Sequence, residues 1–245
     1  MLRLSALFFL FNLSVLAQFA PMEEYVPLTN IYIPEGYDSN DIIEVIVEGY
    51  TPTLCHYEPK ITVEIKDKLI LLKALSQYRA QSDCIKSMVP FQKVIKVAQD
   101  LPRGFYTVLI EDFFDLEAKE VKASRFALKI KGSKSVTHDE KIYANIKYIV
   151  PKSERSVDLI GYHTSDCFVK DKIKIQKISN TIVILPELRI KKYAKCWPPK
   201  MIPFKYSVEI PEEYLSNQKV LIHIRKMSGK SMNYIFDPAL FRLSL

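Results

Sequence analysis

Apolar and polar residues alternate with a period of two along most of this chain. The plainest run is Lys172-Ile173-Lys174-Ile175, and such alternation puts one face of a strand in a core and the other in water. Runs rich in β-branched and aromatic residues recur at intervals of about ten, bounded by turn residues, which is the spacing of an all-β sandwich. Seven strands are expected in the first half, at 30–34, 41–50, 60–66, 69–75, 91–98, 105–110 and 125–130. Seven more are expected in the second, at 145–150, 157–163, 172–178, 181–185, 204–210, 219–224 and 240–245. Helical spacing is confined to 112–121, where Phe113, Phe114, Leu116 and Ala118 predict a single turn. The halves should close alike, because Phe126, Leu128 and Ile130 alternate as Phe241, Leu243 and Leu245 do.

The cysteines sharpen this into a duplication. Cys55 and Cys84 are separated by 29 residues, Cys167 and Cys196 also by 29, and the two pairs lie 112 residues apart. Gly49-Tyr50 stands six residues before Cys55 and Gly161-Tyr162 six before Cys167, while Pro90-Phe91 and Pro203-Phe204 follow the second cysteine of each pair. One unit is thus expected twice, at 18–132 and 142–245, joined by the polar stretch 133–141. Of the three ways to pair four cysteines, the duplication selects Cys55 with Cys84 and Cys167 with Cys196.

The N-terminus bears on compartment. Arg3 precedes an apolar run at 4–16 broken only by Ser5, Asn12 and Ser14, the pattern of a cleavable secretory signal. Val15 and Ala17 favour a cut before Gln18, giving a signal at 1–17. The run is shorter than the roughly 20 residues a membrane-spanning helix needs, and no later segment reaches that length, so no membrane span is expected in the mature chain. Export to the periplasm or beyond suits structural disulfides. Metal binding would call for close cysteine pairs, which are missing. The net charge of +7 and the 6 glycines add two smaller points. Dispersed lysines keep strand edges soluble, and Asn, Asp, Ser and Pro must make most of the turns.

The segments Ile33-Pro34-Glu35-Gly36-Tyr37-Asp38-Ser39-Asn40-Asp41, Gly49-Tyr50-Thr51-Pro52-Thr53-Leu54-Cys55, Val89-Pro90-Phe91 and Leu101-Pro102-Arg103-Gly104-Phe105-Tyr106-Thr107-Val108 carry a resemblance. On them the chain resembles uncharacterised exported bacterial proteins built from tandem immunoglobulin-like β-sandwich domains. The resemblance implies two tandem immunoglobulin-like antiparallel β-sandwiches with one disulfide each, and an exported location. It carries no activity. The second half departs from it, with Lys152-Ser153-Glu154-Arg155-Ser156 in place of the Asp-Ser-Asn-Asp approach and Ser216-Asn217-Gln218 in place of Pro-Arg-Gly.

No nucleophile elbow, zinc-protease pair or phosphate-binding glycine loop is present. His56 and His163 lie near the first cysteine of each half, His138 falls in the connection and His223 in a strand; they occupy no equivalent positions. No catalytic residue, metal ligand or cofactor is therefore expected. The candidate binding surface is the interleaved cluster Arg189, Lys191, Lys192, Tyr193, Lys195, Trp197 and Lys200, since aromatics among cations can anchor a protein contact or an anionic polymer. Its alternative is a solvated loop in which Trp197 covers the sandwich end. The function expected is a non-enzymatic binding, adhesion or assembly module of the bacterial envelope. Its partner would be an envelope or extracellular protein or an anionic polymer; nucleic acid is not expected. The rival readings are a periplasmic two-domain assembly chaperone and an envelope hydrolase with an unrecognised site.

Overall fold

In the computed structural model the chain is described at residues 22–79, 84–115, 119–134, 139–192, 196, 199–215 and 219–242. It is almost entirely β. The first half contains β1 (Met22–Tyr25), β2 (Leu28–Tyr32), β3 (Ile42–Thr51), β4 (Lys60–Lys66), β5 (Leu69–Tyr78), β6 (Val89–Gln99), β7 (Gly104–Asp115) and β8 (Glu120–Ile130). The second contains β9 (Ile142–Tyr143), β10 (Asn145–Ser153), β11 (Ser156–His163), β12 (Phe168–Ile178), β13 (Thr181–Ile190), β14 (Ile202–Glu209), β15 (Val220–Lys226) and β16 (Lys230–Phe236). Hairpin turns that lack glycine use other residues at positive φ, among them Asp67 and Ser179.

The strand order recurs. In the second half β10-β11-β14 form one sheet and β12-β13-β15-β16 another, with β9 added to β13. In the first half β2-β3-β6 stand in the same order, as do β5 and β7 with β4 and β1 on β5 and β8 on β7. There the two groups join into one eight-stranded sheet through β2 and β7, which meet in parallel at Leu28 and Phe113. In the second half β13 and β15 also pair in parallel, with Thr181–Ile184 alongside Leu221–Ile224.

Several elements differ from the sequence expectation, among them β1, β9 and β16, which form where no strand was expected. Residues 112–115 continue β7 instead of forming a helical turn; Phe113 and Phe114 are adjacent, so in a strand they face opposite sides, which the helical reading did not weigh. Ala239–Arg242 form a short helix after Pro238 where a closing strand was expected. The closing strand is β16, whose antiparallel partner is β15. The equivalence drawn between Phe126-Leu128-Ile130 and the chain end therefore fails, and β16 occupies the place in the second half that β8 holds in the first.

By packing, the described residues divide into two compact units: those within 22–31, 47–93 and 108–125 in one, and those within 32–46, 94–107 and 126–242 in the other. Within the second unit, Ile146, Val157, Leu159 and Val208 from one sheet meet Ile182, Ile184, Ile222, Ile224 and Phe236 from the other, with Ala144 between β9 and β10 joining them. Strand β15 buries both faces. Val220, Ile222 and Ile224 enter that core, while Leu221, His223 and Arg225 are buried on the opposite face. The segment 33–41 packs on it: the Tyr37 and His223 rings meet edge to face at 4.7 Å, and the Ile42 amide donates to the Gly229 carbonyl at 2.9 Å.

Candidate functional site

Both cysteine pairs are bonded as expected, Cys55 to Cys84 and Cys167 to Cys196. Each bridge ties the loop after the second strand of its three-stranded group to the connection leading into the third, so it fixes loops instead of joining facing sheets. Cys167 is fully buried and Cys196 exposed. Backbone bonds hold both arms of the long β13–β14 connection to the same loop. The Lys191 amide donates to the Cys167 carbonyl at 2.8 Å and the Lys200 amide to the Thr164 carbonyl at 3.1 Å. Beneath them His163 stacks on Phe204 at 4.5 Å and its Nε2 lies 2.9 Å from the Tyr206 hydroxyl. Burial pushes the His163 pKa down, which suits a neutral supporting ring.

This anchored connection carries the expected surface. Arg189 closes β13, exposed, with Nε 3.9 Å from Asp171. Lys191, Lys192 and Lys200 are exposed as well. Tyr193, Lys195 and Trp197 lie outside the described residues. Two apolar side chains join the cations: Ile190 is 52 % exposed and Met201 70 %. Neither was singled out from sequence, because an isolated Ile or Met between lysines reads as ordinary alternation.

Next to Ile190 the surface folds into a cleft. Phe168 faces Ile190 across the β12–β13 pair, and β9 lies along the other side of β13, with Tyr143 opposite Glu187 and Ile142 opposite Leu188. Where β9 stops, β15 takes over the same edge of β13. A cavity of about 390 Å³ opens between these strand ends and the turn after β15, walled mainly by Ile142, Tyr143, Phe168, Ile190 and Met227. Lys141, Asp139 and Ser228 complete its margin.

Behind Tyr143 lies a charged interior cluster. The Arg225 guanidinium, 5.6 Å from the Tyr143 ring, donates to Asp38 at 3.0 Å, to Asp139 at 3.3 Å and to Asp41. Asp139 also accepts from the Gly229 amide at 3.1 Å, and Asp41 from the Asp38 amide at 2.8 Å. Three carboxylates share one cation. Burial, with Asp38 and Asp139 adding repulsion, outweighs the attraction of Arg225 and raises the Asp41 pKa to about 7. Alongside, His223 Nδ1 is 2.7 Å from Asn233 Oδ1, and Asn233 donates to Glu44 at 3.0 Å. Since that oxygen only accepts, Nδ1 carries the proton, and burial lowers the His223 pKa to about 4. Asp38 and Asp41 stand in the Asp-Ser-Asn-Asp segment that carried the resemblance, which was the only sequence signal for this cluster. Among the described residues no three His, Cys, Asp or Glu side chains are grouped to hold a metal ion.

Residues 45–122, which span most of the first half, match the model of the ORF11 beta-sandwich domain, so the chain is similar to that family over this stretch. No curated protein and no solved structure matches the chain.

Proposed function

We propose that this is an exported, non-enzymatic protein of two tandem immunoglobulin-like β-sandwiches. It binds an envelope or extracellular partner through the anchored β13–β14 connection. The observation that carries the reading is the pair of backbone bonds and the disulfide by which buried Cys167 and its loop hold exposed Lys191, Cys196 and Lys200. Positions fixed before contact, as Lys191, Cys196 and Lys200 are by these bonds, lose less entropy on binding. The disulfides suit an oxidising compartment, and among the described residues no helix is long and apolar enough to cross a membrane. The tandem reading is supported by the equal cysteine separations and the recurring strand order.

Two measurements test this. When the full chain is expressed in a bacterium, the exported product should begin at Gln18; retention of the intact chain in the cytoplasm would refute export. On an immobilised heparin column, the chain should elute at higher salt than the variant with Arg189, Lys191, Lys192 and Lys200 all changed to Gln, because exposed charges act through screened attraction. Equal elution would remove this surface from the proposal.

A further inference from the structure

We infer that the cleft beside Ile190 receives a single aromatic or long aliphatic side chain from a protein segment whose flanking residues are acidic. The inference rests on the binding reading above and names the partner's chemistry.

The cleft's size and lining select the anchor. A volume of about 390 Å³ is at the small end of ligand sites and enough for one large side chain. Its wall comes from Ile142, Tyr143, Phe168, Ile190 and Met227, with few polar groups to satisfy the hydroxyls of a sugar. Asp139 on the margin is already engaged by Arg225 and the Gly229 amide.

Charge selects the flanks. Lys141 stands on the margin itself, and Arg189, Lys191 and Lys192 lie within two residues of Ile190. Lys141, Lys191 and Lys192 are exposed and make no ion pair among the described residues, while the one nearby acid in β12, Asp171, is engaged by Arg189. An apolar pocket with Lys141 on its margin and Lys191 and Lys192 directly after Ile190 in the chain favours an apolar anchor between carboxylates, and disfavours a basic segment by repulsion. Ile190 supplies the lip of the pocket, half-exposed at a strand end, so its truncation leaves the core intact.

The test uses the full chain and three fluorescent five-residue peptides: tryptophan flanked by two acidic residues on each side, serine in the same acidic frame, and tryptophan flanked by two lysines on each side. Binding is read by anisotropy. The acidic tryptophan peptide should bind at least about fivefold more tightly than either other. Ile190→Ala should weaken it by a similar factor, and joint Lys191→Gln and Lys192→Gln should weaken it and reduce its salt dependence. If the acidic serine peptide binds equally well and Ile190→Ala changes nothing, the cleft inference falls while the basic surface stands. If no acidic peptide binds and the lysine variant elutes from heparin as wild type does, both fall. Equal binding of the basic tryptophan peptide, or preference for phosphatidylglycerol vesicles that depends on Ile190, also overturns it.

Discussion

The ring of Phe204 lies over the bare Cα of Gly161: a Cβ placed there would stand 2.8 Å from Phe204 Cζ and still nearer the Asn145 carbonyl oxygen. The two residues are direct partners in the β11–β14 ladder. In the first half Gly49 has the same relation to Phe91, where a Cβ would stand 2.7 Å from the ring and 2.7 Å from the Pro27 carbonyl oxygen. The repeated Gly-Tyr and Pro-Phe dipeptides thus meet in space, each glycine letting an aromatic ring and a neighbouring backbone carbonyl approach at once.

Adding a methyl at either position forces backbone or a packed ring to move. Gly161→Ala and Gly49→Ala should each lower stability by about 1–3 kcal/mol, the usual range for overpacking. Chemical denaturation of each variant checks this. Phe204→Ala in the Gly161→Ala background should recover little, because the Asn145 carbonyl remains in the way. A wild-type midpoint for Gly161→Ala would show that the close approach relaxes freely.

What the sequence made legible follows from what is local. Alternation located most strands to within a few residues, and equal spacing identified both disulfides, since each depends on neighbours in the chain or on a repeated count. The end at 239–242 misled because Phe241, Leu243 and Leu245 alternate like a strand, yet Pro238 interrupts the backbone donors that would extend β16. The Arg225 cluster was hidden for a different reason. The segment holding Asp38 and Asp41 is far in sequence from Asp139 and from Arg225, and β15 alternates as if one face were wet until segment 33–41 covers Leu221, His223 and Arg225.

Arg225 is 8 % exposed and serves three carboxylates. Arg225→Met would strand them in a poorly hydrated site, so the expected loss is about 3–5 kcal/mol, the cost of breaking a buried pair by removing one partner. Asp139→Asn should cost less, because it relieves repulsion while its amide oxygen can still accept from Gly229. Equilibrium denaturation should rank Arg225→Met well below Asp139→Asn; the reverse order would mean that Asp139 is the group holding the cluster together.

The same bonds set the outcome of cutting the chain. Separating 18–132 from 142–245 leaves Asp38 and Asp41 without Arg225 and uncovers His223. The fragment 142–245 should therefore melt below the full chain, and adding 18–132 should raise its melting temperature. Calorimetry on the fragments singly and mixed gives the answer. A fragment as stable as the full chain, unaffected by its complement, would show that segment 33–41 contributes nothing to the second half.

Asp41 and His223 give opposite pH slopes, and their overlap makes a test. The Asp41 pKa is raised to about 7 by burial and by neighbouring carboxylates, so between the ordinary carboxylate value near 3.9 and 7 the folded chain holds a proton that the unfolded chain has lost. Its contribution to stability is present at low pH and falls as pH rises through that window. Burial also raises the Glu44 pKa, which adds to the same slope. The His223 pKa is lowered to about 4 by burial, so between 4 and the ordinary value near 6.5 the unfolded chain binds the extra proton and stability rises with pH. In the wild type these slopes largely offset one another below about 6.5. Asp41→Asn should leave the His223 slope, giving a melting temperature that climbs relative to wild type from pH 4 to 6.5. His223→Gln should leave the carboxylate slope, giving one that declines relative to wild type over the same range. Thermal melts of both variants across pH 4 to 8 decide the matter, and profiles parallel to the wild type in both would mean that neither group titrates differently on folding.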